Sequence, residues 1–190
     1  PYMENFRKLY EEQKLADDAT IEVKIAESSF KVSEKKAEDK KEDALTEESL
    51  EENLKTFPLT IESTDYIIQS SDYKTLYPDM LNAIIKNNGD KDIKTAVIAF
   101  VAWDENGLPV KIKGQFDFSG GTYVKEVDYA DVNLVPGGTF GEEKGYSLDE
   151  SCKISSFKAA VVSYETFEGE KLKNPYYKDF KTLYEGKKLN

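Results

Sequence analysis

Eight consecutive residues, Ala96-Val97-Ile98-Ala99-Phe100-Val101-Ala102-Trp103, carry no charged or amide side chain. An apolar run of that length, stopped by the turn residues Asp104-Glu105-Asn106-Gly107, reads as a strand in the centre of a sheet. Beyond the turn, Leu108, Val110 and Ile112 alternate with Pro109, Lys111 and Lys113, so residues 96–113 are predicted to form a β-hairpin. The period of two recurs from Leu59 and Ile61, from Leu81 to Lys86, from Tyr123 to Val132 and from Ile154 to Phe167. Pro136-Gly137-Gly138 breaks the chain between the last two, and Glu168-Gly169 closes the final one. Strands separated by turn signals, with no long helical period between them, predict an antiparallel sandwich rather than a βαβ sheet.

The large side chains are unevenly placed. Of 23 aromatics only Tyr2, Phe6, Tyr10 and Phe30 precede residue 57, so the core belongs to residues 57–190. Between Ser33 and Glu52 four lysines face nine acids, a net of −5 against −11 for the whole chain. That stretch holds only Leu45 and Leu50 as large apolar residues and reads as a solvated spacer. Within it Ser49-Leu50-Glu51-Glu52 has capping-box spacing, and Leu50, Leu54 and Phe57 fall along one side of a short helix leading into the domain. Upstream, Ile21, Val23 and Ile25 alternate with charged residues as in one half-buried strand. At the other end Asn174 is a helix cap, Pro175 suits the first turn, Tyr176, Phe180, Leu183 and Tyr184 share one helical face, and Gly186 is the stop.

Charge and residue usage exclude several classes of function. With 26 Lys+Arg against 37 Asp+Glu and a pI near 4.7, the chain repels phosphate backbones and anionic lipid. No nucleic acid and no direct membrane insertion by this segment are expected, since no apolar run approaches the 18 or so residues of a spanning helix. The chain begins with Pro1 rather than Met, which points to a piece of a longer protein. Histidine is absent and Cys152 is the only cysteine. Histidine-activated nucleophiles, histidine metal ligands and multi-cysteine zinc sites are therefore excluded. Cys152, beside Ile154, reads as a small buried hydrophobe.

Carboxylate-only glycoside hydrolysis survives the missing histidine. Its candidates, Asp128, Asp131, Glu142 and Glu143, come from an exposed strand face and a loop. Oxygen-rich Asn87-Asn88-Gly89-Asp90 and Asp104-Glu105-Asn106-Gly107 lack the ligand spacing of an EF-hand loop and match tight turns. Gly137, Gly138 and Gly141 do not open a strand-to-helix phosphate cradle. Among possible stacking or interface aromatics, Trp103 and Tyr129 lie on period-two stripes and are expected in the core. Tyr176 lies on the apolar face of the tail helix, whereas Tyr177 lies off it and is the aromatic expected to be exposed. No catalytic residue, cofactor site or metal site is assigned.

The two ends of the chain repeat one another. Pro1-Tyr2-Met3-Glu4-Asn5-Phe6-Arg7-Lys8-Leu9-Tyr10-Glu11 aligns with Pro175-Tyr176-Tyr177-Lys178-Asp179-Phe180-Lys181-Thr182-Leu183-Tyr184-Glu185, and Lys14-Leu15 with Lys188-Leu189. Fifteen aligned positions hold eight identities at a constant offset of 174. Residues 1–15 therefore read as the terminal helix of a preceding copy, residues 16–56 as a charged spacer with a strand and a short helix, and residues 57–190 as the domain with its terminal helix. A shorter echo over Asp72–Tyr77, closed by Pro78, is given no role.

The segment Phe100-Val101-Ala102-Trp103-Asp104 resembles the Phe-x-Leu-Tyr-Asp signature of the FxLYD family, with Ala102 for Leu and Trp103 for Tyr. Lys86-Asn87-Asn88-Gly89-Asp90-Lys91 before it and Asn106-Gly107 after it are similar to that family's turns. The resemblance runs from Leu81 to Gly107 and includes the later strand and tail, Phe157 to Asn174. It implies an immunoglobulin-like β-sandwich of secreted or membrane-anchored proteins of Gram-positive bacteria, with no known catalytic activity and no functional residues to carry over. The expectation is thus a mainly β, immunoglobulin-like antiparallel sandwich over residues 57–173, with a helical N-terminal arm and a C-terminal amphipathic helix. Its expected role is that of a non-catalytic extracellular spacer or binding module. Candidate partners are neighbouring copies of the same domain and a cell-wall or host protein or glycan. The alternative is a carbohydrate-active module.

Overall fold

The computed structural model describes residues 45–69, 72–73, 76–142 and 144–189. The expected arm over residues 1–15, the strand near Ile21–Ile25 and the charged run as far as Ala44 lie outside the described residues, as does Glu143. The elements run α1 (Glu47–Leu54), β1 (Leu59–Ile67), β2 (Met80–Asn87), β3 (Ile93–Trp103), β4 (Pro109–Val110), β5 (Lys125–Tyr129), β6 (Thr139–Phe140), β7 (Tyr146–Ser147), β8 (Ser156–Thr166), β9 (Lys171–Lys173) and α2 (Tyr177–Tyr184). The strands form two antiparallel sheets. One is ordered β1-β2-β6 with β7 also on β2, and the other is ordered β4-β3-β8-β9 with β5 also on β3. The expected mainly β sandwich is present, including the 96–113 hairpin, in which Ala102 pairs with Val110 and Trp103 with Pro109.

The run from Ala96 to Trp103 is unbroken because β3 is buried on both faces. Ile98, Phe100 and Ala102 point into a core shared with Leu59, Leu81, Ala83 and Ile85 of the facing sheet. Ala99, Val101 and Trp103 point the other way, into a second cluster formed with Leu50, Phe180 and Tyr184 of the two helices. A half-exposed strand would alternate; a strand sandwiched between a sheet and a helical layer does not.

On β8 the two faces are kept in phase by a bulge. Val97 pairs with Ser163 but Ile98 pairs with Val161, leaving Val162 as the extra residue. Beyond it the parity changes, so Tyr164 joins the inner core together with Val161. Asn174 takes up the polar groups the bulge displaces: its backbone N–H donates to the Val162 carbonyl at 2.8 Å and its Nδ2 to the Val161 carbonyl at 2.8 Å. Its Oδ1 accepts from the N–H of Tyr176 at 3.0 Å. Asn174 therefore fastens the turn before the helix rather than capping it: the helix starts at Tyr177, two residues later than Pro175, and its N-cap is Tyr176, with no side-chain cap hydrogen bond.

The N-terminal helix also differs from its sequence reading. Its capping box is Thr46/Ser49, with Ser49 as the third helical residue rather than the cap. Leu50 is buried under the helices, whereas Phe57 lies past the helix end in the inter-sheet core, 5.5 Å ring to ring from Tyr164. Lys158 on β8 ties this helix to the layer, 2.7 Å from Glu51 and over the Tyr184 ring at 5.2 Å. Burial pulls its ammonium down, but Glu51 and Tyr184 outweigh burial and hold it above the usual lysine value. No helix among the described residues is long and apolar enough to cross a membrane.

The C-terminal strap completes the outer layer. Gly186, at φ +65°, ends α2 in the left-handed conformation. The chain then crosses the hairpin: the Trp103 indole N–H donates to the Lys187 carbonyl at 2.8 Å, and the Leu189 N–H to the Gly107 carbonyl at 2.9 Å. Trp103 meets Tyr184 edge-on at 5.7 Å, so one residue carries both a ring contact and a strap hydrogen bond.

Candidate functional site

The end of the sandwich beside the β3–β4 turn holds a cleft of about 1040 Å³. It is lined by Tyr66 and Ile68 from the end of β1, by Asp79, by turn residues 104–106 and by the 148–155 segment. Three of its five carboxylates, Asp79, Asp104 and Asp149, are used locally. Asp104 Oδ1 accepts from the N–H groups of Asn106 at 2.9 Å and Leu108 at 2.8 Å, which fixes the hairpin turn. Asp79 Oδ1 accepts from the Gln69 N–H at 2.7 Å. Asp149 accepts from the Ser151 hydroxyl and from the Ser151 N–H at 3.0 Å, and it pairs with Lys113 at 3.2 Å. Those donors, Ser151 foremost, hold its carboxyl down to about 2.

Cys152 lies in the same cleft, half-buried. Its sulfur accepts from the Lys113 N–H at 3.4 Å and lies 3.5 Å from the Lys113 carbonyl. Burial pushes the thiol up, and the Asp149 charge adds to that push. A thiol raised in this way is a poor nucleophile at neutral pH. The cleft wall is therefore rich in carboxylates, three of them held in local hydrogen bonds.

The other sequence candidates are dispersed. Asp128 is exposed on β5, Asp131 lies in an exposed turn at φ +51° and Glu142 lies in an exposed loop; none lines the large cleft. Asn87 is buried and its amide serves a turn. Its Nδ2 donates to the carbonyls of Lys91 at 2.8 Å and Leu134 at 3.1 Å, while its Oδ1 accepts from the Gly89 N–H at 3.0 Å. Gly137 and Gly138 pair with the backbone of Asn87. Gly141 is needed for close approach, because a Cβ there would sit 2.5 Å from the Ala83 carbonyl oxygen. That approach lets the buried amide of Asn82 donate to the carbonyls of Gly141 and Lys144. Among the described residues no three His, Cys, Asp or Glu side chains converge as metal ligands.

Aromatics divide in a way sequence reading anticipated only in part. Trp103 and Tyr129 are buried as expected, and the Tyr129 hydroxyl donates across the sandwich to the Ala83 carbonyl at 3.1 Å. Tyr177 is a correction: it is half-buried, stacked on Phe180 at 6.5 Å, with its hydroxyl donating to Glu126. Burial, with the Glu126 carboxylate next, pushes that phenol far up. Among the described residues Tyr73, Tyr77, Tyr123 and Phe167 are exposed instead, and the most exposed aromatics are Phe116 (79%) and Phe118 (101%), on the loop after β4. Beside them is a depression of about 440 Å³ lined by Gly114, Gln115, Phe116, Asp117, Tyr146 and Ser147. The sequence signal that could have found them was their position between Gly114 and Gly120-Gly121, outside every period-two stripe.

A family of unknown function, DUF5780, matches residues 80–187, more than half of the chain. The chain belongs to that family. The DUF5780 match opens with the first residue of β2 and closes on Lys187, whose carbonyl receives the Trp103 indole. Both β2–β9 and the closing helix α2 thus lie inside the family unit, whereas α1 and β1 precede it. The fold is similar to that of a hypothetical protein from Peptoclostridium difficile 630 known from X-ray crystallography. The TM-score is 0.56 at 13% identity, over 70% of this chain and 94% of that one. No curated protein matches.

Proposed function

We propose that this DUF5780 chain is a non-catalytic extracellular module of a bacterial cell-surface or secreted protein, acting as a spacer or as an adhesion or binding element within a tandem array. The observation that carries the reading is the repeat of residues 1–15 in residues 175–189, the segment that closes the outer face of the domain. The resemblance of Phe100–Asp104 to the FxLYD signature supports a secreted or anchored setting in Gram-positive bacteria. The engagement of Asp79, Asp104, Asp149 and Cys152 in local hydrogen bonds supports a structural rather than a catalytic role. Neighbouring copies are the first partners of such a module, with a cell-wall or host protein or glycan at its free surfaces.

Two measurements test the proposal. Antibody to the domain should label intact cells of the source organism; labelling only after lysis would overturn the extracellular reading. The parent gene should encode a second Phe-x-x-Trp-Asp-like segment one repeat upstream of Phe100, and its absence would remove the array.

A carbohydrate-binding reading is favoured by one observation, the exposed Phe116 and Phe118 beside the depression that Tyr146 lines. Glycan-array binding abolished by Phe116→Ala with Tyr146→Ala would establish it, and an array without hits would discard it.

A further inference from the structure

We propose that residues 1–15 are a second closing segment, recognised by the same seat on the outer face of the β3–β8 sheet that holds residues 175–189. The inference rests on the repeat reading above and assigns that repeat a binding surface. The seat is defined by what α2 and its strap bring to it. Tyr176, Phe180, Leu183, Tyr184 and Leu189 pack against the cluster of Ala99, Val101, Trp103 and Ala160. The Lys187 carbonyl receives the Trp103 indole, a contact that any residue's backbone supplies. At the corresponding positions the N-terminal segment has Tyr2, Phe6, Leu9, Tyr10 and Leu15, identical at all five.

Differences between the two segments fall mostly where the seat makes no demand. Lys178 and Thr182, replaced by Glu4 and Lys8, are exposed. Lys181 pairs with Glu185 at 3.4 Å, and Arg7 with Glu11 repeats the charges at the same spacing. An amphipathic helix in general needs apolar residues on one face, of any kind. Tyr177 also packs there and is replaced by Met3, so residue type is retained at five of six packed positions, with drift at the exposed ones, as a shared seat requires. Two departures weaken the fit without abolishing it. Met3 stands where Tyr177 donates to Glu126, and Glu12 stands where Gly186 adopts φ +65°. In a tandem parent, the seat filled by residues 1–15 is that of the preceding copy.

The experiment uses the full chain and its single tryptophan, Trp103, which lies under the seat. Phe180→Ala with Tyr184→Ala empties the seat of its own helix. If residues 1–15 can enter, this variant stays folded with blue-shifted Trp103 emission. Adding Phe6→Ala and Tyr10→Ala should then lower its melting temperature by roughly 5 °C or more and shift the emission to the red. In the otherwise wild-type chain, Phe6→Ala with Tyr10→Ala should leave both readouts unchanged, so the difference between backgrounds measures the exchange. A fourfold variant indistinguishable from Phe180→Ala/Tyr184→Ala, including the case in which both are unfolded, overturns the proposal. A parent gene lacking an upstream unit would remove the array and leave this result standing.

Discussion

The two faces of the β3–β8 sheet are buried to a similar degree by different means. The inner face meets a second sheet, and its core draws on strands β1, β2, β3, β5 and β8, with Tyr129 hydrogen-bonded across the gap. The outer face meets two helices of eight residues each, one before the family unit and one at its end, joined to the sheet through a few large side chains. Isolated helices of that length are not stable in water, so they exist because Leu50, Phe180 and Tyr184 are seated. The inner face is therefore expected to open only with global unfolding, and the outer face at a lower free energy, helix by helix.

The strongest way to break this contrast is Phe100→Ala, which removes a fully buried ring from the inner core next to Phe157. It should cost about 3–5 kcal/mol in urea unfolding and abolish a folded baseline if the domain has typical stability. Leu50→Ala should cost about 2–4 kcal/mol, with hydrogen exchange accelerated in α1 while β3 and β8 stay protected. Uniform acceleration in all three would show that the helical layer and the sandwich unfold as one.

Acid should act on the outer face first. Lys158 holds the Glu51 carboxyl below its ordinary value of 4.5, by hydrogen bond and by charge. The folded state then binds fewer protons than the unfolded one, so the contribution is complete above the ordinary value and fades as pH falls through the lowered one. The opening free energy of the α1 amides, taken from exchange rates corrected for the intrinsic pH dependence of amide exchange, should fall over that window in the native chain and stay flat in Lys158→Met. A smaller effect is expected of Tyr184→Phe. The Tyr184 hydroxyl is buried near Lys158 without a hydrogen bond of ordinary geometry, so its removal should be neutral or stabilising by up to about 1 kcal/mol. Smallest of all, Phe118→Ser should change stability by less than about 0.5 kcal/mol, since the ring touches little.

Legibility in the sequence followed the length and strength of the local signal. Long strands, β1 and β8 by their period and β3 by its unbroken apolar run, were readable, as were the 104–107 turn and the tail helix. The two- and three-residue strands β6, β7 and β9 were not, because a period cannot be seen over so few residues and their pairing partners are distant in the chain. Tyr177 was misread because helical position alone says nothing of Glu126, which β5 brings to its hydroxyl. The cap of α1 was displaced by one turn because Thr46 and Ser49 both suit an N-cap, and only the seating of Leu50 separates them. Of the large cleft nothing was legible beyond its turn residues, since Tyr66, Ile68, Asp79 and residues 104–106 and 148–155 meet only in three dimensions.

By itself the sequence determined the β class, the central strand, the hairpin, the exclusion of histidine chemistry and the repeat linking the two ends. These depend on residue identity and short-range period, which the chain carries locally. Only the tertiary structure decided that the apolar run serves two cores, that a bulge at Val162 keeps them in phase and that Asn174 and Trp103 fasten the outer layer. Those outcomes are set by which distant surfaces meet, and no periodicity encodes the partner a face will find.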